Sequence, residues 1–205
     1  MTTYAWPSAN VKHMPRTASL RVITNGRSNS SAESGVTQTV TRPGSRWGWS
    51  VAMPPMLDAV REDFEGWLIG LSGQQHRIST WDWKRPRPRG TCNLTGVTLS
   101  ANAAAFETQV SLTGCGASKT LLRGDWLGFS SGQLCRVAAD TTASGGGTMT
   151  VPIRHELRSA LSSSSAVTLD KPIALYILAE PNIELPRAPG RAQPAFGFDI
   201  IEVFS

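Results

Sequence analysis

The chain has 205 residues, of which 40% are apolar and only 17% are charged. This length allows one large or two small domains with buried cores, and the low charge predicts a surface that packs against copies of the chain or against partners. The net charge of +5 is spread along the chain, with no gathering into one basic stretch beyond residues 84–89, which argues against a nucleic-acid-binding domain.

The first fifty residues alternate apolar and polar side chains, as strands with one buried face do. The alternation is clearest in SLRVIT, which begins at Ser19, and in RWGWSVAM, where Trp47 and Trp49 share one face. Between these stretches, Asn25 and Gly26 form a typical turn pair. The pattern predicts strands connected by hairpins.

An amphipathic helix is predicted within residues 54–73, because apolar side chains recur there at three- and four-residue spacing. Pro54 and Pro55 favour its beginning, and Gly73 favours a left-handed end. Its apolar stripe is expected to pack on a sheet. Its opposite face carries the charged residues Arg61, Glu62, Asp63 and Glu65, and the three carboxylates of this face are expected to be solvated.

The segment WDWKRPRPRG, residues 81–90, is interpreted as a stiff connector between two domains. Pro86 and Pro88 lack the amide hydrogen that a central strand needs, and they favour extended backbone. A second proline-rich passage, EPNIELPRAPGRAQPA, begins at Glu180. The two passages are expected to flank an inserted domain and to fix its angle to the first domain.

Residues 91–180 differ from the preceding residues in composition, with many Gly, Ser, Thr and Ala residues. They contain short runs of alternating apolar and polar residues that end with the predicted strand PIALYILA. This pattern predicts a small inserted β-barrel, with a helical turn at PIRHELRSAL, which begins at Pro152. The first domain, residues 1–90, is completed by residues 181–205, which end in the strand FGFDIIEVF. The predicted fold class is mainly β: a β-sandwich-like domain with one packed α-helix, plus an inserted small β-barrel.

One motif resembles a catalytic site. The segment GFSSG, residues 128–132, matches the GxSxG pattern of serine hydrolases, and Asp140 and His155 follow in the order of a catalytic triad. That chemistry needs a turn between a strand and a helix, whereas GFSSG joins two alternating runs and is interpreted as a hairpin turn. Esterase activity through Ser130 is therefore only a remote alternative, and the protein is predicted not to be an enzyme.

Two further motifs receive structural interpretations. The tripeptide RGD, residues 123–125, is followed at once by a strand, so Asp125 is expected to cap a turn. The segment GCGASKT, residues 114–120, has Ser118 where a phosphate-binding loop requires glycine.

No metal or cofactor site is predicted. The three cysteines, which are expected to be reduced and half-buried, are widely spaced, no CxxC pair occurs, and the three histidines are isolated from one another. No apolar run is long enough to span a bilayer, and the amino terminus lacks the apolar core of a signal peptide. Synthesis in a cytoplasm, without membrane insertion, is therefore expected.

Several stretches together resemble the distal tail proteins of long-tailed bacteriophages. In the first domain these are the early Trp6-Pro7 pair, the segment RWGWSVAMPPML, the acidic-faced helix REDFEGWLIGLSG and the RPRPRG passage. In the insert, LLRGDWLGFSSGQLCRV is similar to a strand pair common in these proteins, and FGFDIIEVF is similar to their carboxy-terminal strand. The resemblance covers most of the chain and concerns patterns of fold, not of catalysis.

This resemblance implies a structural role in the virion tail tip. Distal tail proteins form a ring, usually of six copies, that connects the tail tube to the baseplate or tip hub. The first domain builds the ring, and the second projects outward as a galectin-like sandwich or an OB-like barrel, of which the short insert favours the barrel. The expected partners are other copies of the chain, the tail tube protein and the hub protein, after synthesis in the host cytoplasm.

The alternative is a carbohydrate- or receptor-binding module at the tail tip. In that case the inserted barrel binds a host surface glycan through exposed aromatic side chains. Trp126, Phe129 and Phe106 are the aromatic residues to consider, although each also suits a barrel core.

The candidate ring interface is inferred from residue chemistry, because no motif of the family fixes its contacts. A closed ring needs large head-to-tail contacts, and arginine tolerates burial in them better than lysine because its planar guanidinium bonds bidentately. The chain has sixteen arginines and four lysines. The candidate interface comprises Arg42, Arg46, Trp47, Trp49, Arg85, Arg87 and Arg89.

Overall fold

Apart from one α-helix, the described chain is built from short β-strands. The computed structural model describes residues 1–7 and 13–204, and only the backbone of Thr41. In chain order the elements are β1 (Thr3–Ala5), β2 (Thr17–Ile23), β3 (Gly26–Ser30), β4 (Thr37–Thr41), β5 (Arg46–Met53), β6 (Met56–Leu57), α1 (Asp58–Gly70), β7 (Arg77–Thr80), β8 (Thr98–Leu99), β9 (Gln109–Thr113), β10 (Thr120–Leu121), β11 (Trp126–Phe129), β12 (Leu134–Val137), β13 (Thr141–Thr142), β14 (Met149–Arg154), β15 (Val167–Thr168), β16 (Ala174–Leu178), β17 (Ala192–Gln193) and β18 (Phe196–Glu202). The predicted mainly β fold is confirmed.

Six strands form the first sheet, in the order β1-β7-β16-β18-β5-β2. β1 runs parallel to β7, and the other neighbouring pairs are antiparallel. The central strands β5 and β18 bury alternate side chains, among them Trp49, Val51 and Phe198, in the core that this sheet shares with α1. The alternation seen in RWGWSVAM and FGFDIIEVF therefore predicts both strands correctly.

The helix α1 lies inside the predicted range 54–73. Its apolar side chains Phe64 and Leu68 are buried against the first sheet, and Phe64 meets Phe196 edge-on with 5.9 Å between ring centres. The backbone is left-handed at Gly73, as predicted. No helix within residues 1–7 and 13–204 combines the length and apolarity that crossing a bilayer requires.

On the charged face of α1, Glu65 is not solvated as predicted. Arg61 and Glu65 are 1% and 4% exposed, and Arg61 Nε donates to Glu65 Oε1 at 2.6 Å. The second proline-rich passage covers this pair, since Arg187 Nη2 donates to Glu65 Oε2 at 2.7 Å and Arg61 Nη1 donates to the Pro194 carbonyl at 3.2 Å. The other two charged residues of the face remain exposed.

Six further strands form the predicted barrel, in the order β15-β11-β12-β14-β9-β8. Its two edge strands nearly close it, because Thr98 and Ala166 form a bridge and the Val167 amide donates to the Val97 carbonyl at 3.0 Å. The barrel interior is a separate core whose members all come from residues 92–169. The three cysteines lie in this core as free thiols that are fully buried, not half-buried as expected.

The chain leaves the first sheet and returns to it at adjacent points. The connector, residues 81–90, follows β7, and the returning chain reaches it at Asp170 and Lys171. The Lys171 amide donates to the Pro86 carbonyl at 2.6 Å, and Arg87 Nε donates to Asp170 Oδ1 at 3.0 Å. These contacts hold the two crossing segments side by side.

The strand β16 belongs to the first sheet, although its sequence predicts a place in the insert. It pairs with β7 on one side and with β18 on the other. The chain therefore returns from the barrel near residue 170, and the second proline-rich passage covers α1 instead of joining the two units. The helical turn predicted at PIRHELRSAL is wrong, because Pro152 lies within β14 and is paired with Gln109 of β9.

We expect the fragment 87–171 to fold by itself, because its core is complete without the first sheet. It should unfold in one cooperative thermal transition, followed by circular dichroism. Leu127→Ala, at a core position that is fully buried, should destabilise the fragment by about 2–5 kcal/mol. Ser162→Ala, at an exposed position of the same fragment, should leave the transition in place. A broad, non-cooperative transition of the unsubstituted fragment would show that the barrel depends on the first sheet.

Candidate functional site

Two tryptophans connect the first sheet to the barrel. Trp47 of β5 is 3% exposed, and its indole N–H donates to the Leu134 carbonyl of β12 at 2.9 Å. Its ring meets that of Trp126 edge-on, with 4.9 Å between centres. The Trp126 indole in turn donates to Asp82 Oδ2 at 2.8 Å, which ties the barrel to the connector.

The two tryptophans of the candidate ring interface are therefore core residues. Trp49 is also 3% exposed, and its indole donates to the Tyr176 hydroxyl at 3.1 Å. Burial raises the pKa of Tyr176, so this hydroxyl stays protonated. Trp47 and Trp49 fill the space between elements of one chain and present no surface to a second copy.

A buried ion pair lies beside Trp47 and was not predicted. Glu202 of β18 is fully buried and accepts hydrogen bonds from Arg158 Nη2 at 2.9 Å and from the Trp47 amide at 3.0 Å. Arg158 follows β14 of the barrel and also donates to the Ser45 carbonyl at 3.1 Å. The sequence contains one indication of this pair. Glu202 continues the alternation of inward-facing residues in FGFDIIEVF, and a carboxylate at a buried position needs a partner.

The arginines of the candidate interface separate into two groups. Arg42 and Arg46 are exposed, and Arg46 reaches the carboxy-terminal ring of Phe204 at 5.1 Å. The connector arginines Arg85 and Arg89 instead turn toward the barrel, whereas Arg87 pairs with Asp170.

The fold gathers five arginines that are scattered in the sequence. They surround a cleft of about 600 Å³ between the connector, β5 and the barrel. The five are Arg85, Arg89, Arg123, Arg136 and Arg154. This local concentration of positive charge is absent from the pattern of the sequence, because the arginines come from four separate places: the connector, the turn before β11, β12 and the end of β14.

Asp125 positions the connector against the barrel. It is 2% exposed, and its carboxylate accepts hydrogen bonds from the backbone amides of Arg89 at 2.8 Å, Gly90 at 3.1 Å and Leu122 at 2.9 Å. The predicted turn-capping role of Asp125 is confirmed, and it extends to holding the end of the connector.

A second cleft, of about 490 Å³, opens on the other side of the junction. It is lined by Phe106, Phe204, Gln133 and Arg158, together with His155. Burial, with smaller contributions from the charges of Arg158 and Arg154, lowers the pKa of His155 to about 4, so its ring is neutral at pH 7. Of the three aromatic residues considered for glycan binding, Trp126 and Phe129 are buried, whereas Phe106 is 59% exposed.

The GxSxG segment is a hairpin turn, as predicted. It connects β11 to β12, and the Gly132 amide donates to the Phe129 carbonyl at 2.9 Å. The other residues of the supposed triad have different partners: Asp140 accepts from the Arg123 amide, and the His155 ring packs against Trp47 at 4.3 Å. Among the described residues, no group of three or more His, Cys, Asp or Glu side chains is placed to hold a metal ion.

No family model and no curated protein matches this chain. The resemblance to distal tail proteins therefore remains a prediction.

We expect Glu202→Gln to lower the free energy of unfolding by about 3 kcal/mol, because it leaves the Arg158 guanidinium without its buried counter-charge. Urea denaturation of the full chain measures this loss. The matched control is Asp199→Asn on the same strand, which removes the ion pair of Asp199 with Arg21; both of those side chains are at least one-third exposed, so the loss should stay below about 1 kcal/mol. Equal losses for the two variants would mean that burial of the Glu202 pair does not stabilise the junction.

Proposed function

We propose that this chain is a structural component of a bacteriophage tail tip that assembles into a ring between the tail tube and the baseplate or hub. The observation that supports assembly is a β-hairpin that has no core of its own. The partners that follow from the proposal are other copies of the chain, the tail tube protein and the hub protein. Six copies, and a location in the virion after synthesis in the host cytoplasm, follow from the resemblance alone.

The hairpin arm, residues 26–41, consists of β3 and β4, which pair only with each other in a separate two-stranded sheet. Every residue of β3 is exposed, as are residues 37–40 of β4. Two large apolar side chains lie exposed on the arm, Val36 at 65% and Val40 at 51% exposure. An isolated two-stranded hairpin is only marginally stable in water, so this arm gains most if another surface covers it.

In a ring, the surface that covers the hairpin arm belongs to a neighbouring copy of the chain. The arm follows β2, which is an edge strand of the first sheet and carries Val22 at 54% exposure. Open sheet edges and projecting hairpins favour strand-to-strand contacts between chains. A head-to-tail contact, in which the arm of one copy covers a different surface of the next, closes into a ring when the rotation between copies permits.

We propose no catalytic turnover for this ring component. Ser130 lies in a hairpin turn, and the second cleft is lined by Ser131 and not by Ser130. The chemistry of a nucleophile elbow, which depends on a strand-to-helix turn, has no counterpart at this position.

Replacing Val36 and Val40 together with serine should weaken assembly. If both valines are covered in the ring, about 2 kcal/mol or more is lost at each contact between copies. Light scattering after size-exclusion chromatography, over a range of protein concentrations, should show a shift toward monomer without a lower melting temperature of the monomer.

The control for this experiment is Ile69→Ser, which removes an equally exposed apolar side chain (66%) from α1. It should leave the assembly unchanged. A wild-type chain that is monomeric at every concentration, or a double variant that assembles like wild type, contradicts the proposal that the arm builds the ring.

Glycan binding at the tail tip is a second candidate function, and the exposed ring of Phe106 favours it. Phe106 and Phe204 border the second cleft, and Gln133 and Arg158 provide polar groups beside them. A sugar ring that stacks on an aromatic side chain and bonds to neighbouring polar groups would fit this combination.

If the second cleft binds a glycan, Phe106→Ala should weaken binding about tenfold, because the stacking surface is lost. A glycan array with the wild-type chain identifies the ligand, and titration calorimetry compares the variants. Ile173→Ala, which removes an exposed apolar side chain elsewhere, is the matched control. The candidate is discarded if no glycan binds the wild-type chain or if both variants bind as well as wild type.

A further inference from the structure

The cleft of five arginines, defined above, is built around the backbone of Gly124. Gly124 has a φ of +93°, in the region that favours glycine. A Cβ at this position would lie 3.5 Å from Arg85 Nη1 and 3.6 Å from Arg136 Nη2. The two nitrogens are therefore no more than about 7 Å apart, the sum of these distances. Two cationic donors, one from the connector and one from the barrel, converge on one point.

Neutral groups bond to the guanidinium groups of Arg136 and Arg89, although Arg89 also approaches the Asp125 carboxylate. Arg136 Nε donates to the Gly124 carbonyl at 3.0 Å, and its guanidinium lies 4.8 Å from the centre of the Trp126 ring. Arg89 Nη2 donates to the Arg123 carbonyl at 2.5 Å. A carbonyl or an aromatic face fixes the position of a guanidinium but leaves its charge uncompensated, so the Arg136 donor is placed in advance for an anion.

The carboxylates near the cleft are committed to other donors. Asp125 bonds to three backbone amides and approaches only Arg89, at 3.8 Å. Asp82 accepts from the Trp126 indole and from the Lys84 and Arg85 amides. In the part of the chain that the structure describes, no carboxylate lies within ion-pair distance of the guanidinium groups of Arg85, Arg123, Arg136 or Arg154.

The electrostatics of the cleft agree with this excess of positive charge. Burial, and next the charge of Arg85, lower the pKa of Arg136, while Asp82 and Asp125 oppose that shift. Asp140 accepts from the Arg123 amide at the rim, and His155 adds no charge at pH 7 because its pKa is lowered to about 4. An anion that enters the cleft would relieve the repulsion between the arginines.

We propose that this cleft is a binding site for a phosphate-class oxyanion, held between the Arg85 and Arg136 guanidinium groups above Gly124. Two charge-assisted hydrogen bonds of about 2.8 Å each, one to each of two oxygens of the same anion, span the separation of these donors. Arginine suits such a ligand because its planar fork matches two oxygens of a phosphate. The two donors converge within about 7 Å above Gly124, which favours a compact anion over an extended acidic surface. The inference does not depend on ring assembly.

Titration calorimetry at constant ionic strength, with inorganic pyrophosphate and with glycerol phosphate, tests the site and distinguishes a free ion from a phosphate ester. Arg85→Ser should weaken binding about 10-fold or more, since it removes a charged donor. Arg136→Lys keeps the charge but loses the fork, and it should also weaken binding. Arg191→Ser makes the same charge change at an exposed position outside the cleft and should alter affinity less than about twofold.

The outcomes separate clearly. The site is supported if either phosphate compound binds the wild-type chain and the Arg191 variant but not the Arg85 and Arg136 variants. Tighter binding of pyrophosphate indicates a free ion as the ligand, and tighter binding of glycerol phosphate indicates a phosphate ester. Thermal unfolding checks that each variant is folded, and Arg123→Ser, at the exposed rim, replaces Arg85→Ser if that variant is not. No binding by the wild-type chain, equal weakening by the Arg191 control, or tighter binding of a hexaglutamate peptide than of pyrophosphate overturns the proposal.

Discussion

The buried pair of Glu202 and Arg158 holds the two halves of this molecule in one arrangement. Glu202 comes from the last strand of the first sheet and is fully buried, and its counter-charge is the partly buried Arg158 from the chain that follows the barrel strand β14. A buried carboxylate without a counter-charge is strongly destabilising, and only a narrow range of positions of the barrel satisfies both groups. Because the Trp47 amide bonds to the same carboxylate, the pair also fixes the strand that carries the tryptophan contact.

Both clefts exist because of this junction. His155 lines each of them, with Arg158 on one side and Trp47 on the other, and the barrel and the first sheet supply opposite walls. The connector forms the remaining wall of the cleft of five arginines. The Asp125 carboxylate holds the end of the connector by accepting hydrogen bonds from its backbone amides. A change in the angle between the halves would alter both clefts together, because the barrel and the first sheet line each of them.

The preference for arginine over lysine has several physical causes in this chain. Arg61 is buried against Glu65 and lies 3.8 Å from the centre of the Phe196 ring, and Arg158 neutralises Glu202. The guanidinium group suits both positions because it bonds in a plane and stacks on aromatic rings while it stays charged. In the cleft of five arginines, backbone carbonyl groups accept hydrogen bonds from the guanidinium groups of Arg136 and Arg89. The sequence predicts arginines in contacts between copies, and the structure adds two arginines, Arg61 and Arg158, that are held by contacts within the chain.

Local periodicity determined much of this fold. Alternation of apolar residues predicted β5 and β18, the three- and four-residue spacing predicted α1, and the two alternating runs that GFSSG joins predicted the hairpin between β11 and β12. These features depend on residues close in the sequence, whose side chains decide which face is buried. The partners of β16, the burial of Arg61 and the cleft around Gly124 depend instead on segments that are far apart in the chain. Long-range contacts bring those segments together: the Glu65 partner of Arg61 is one turn away on the same helix, but the proline-rich passage that covers the pair lies 122 and 133 residues further along the chain at Arg187 and Pro194.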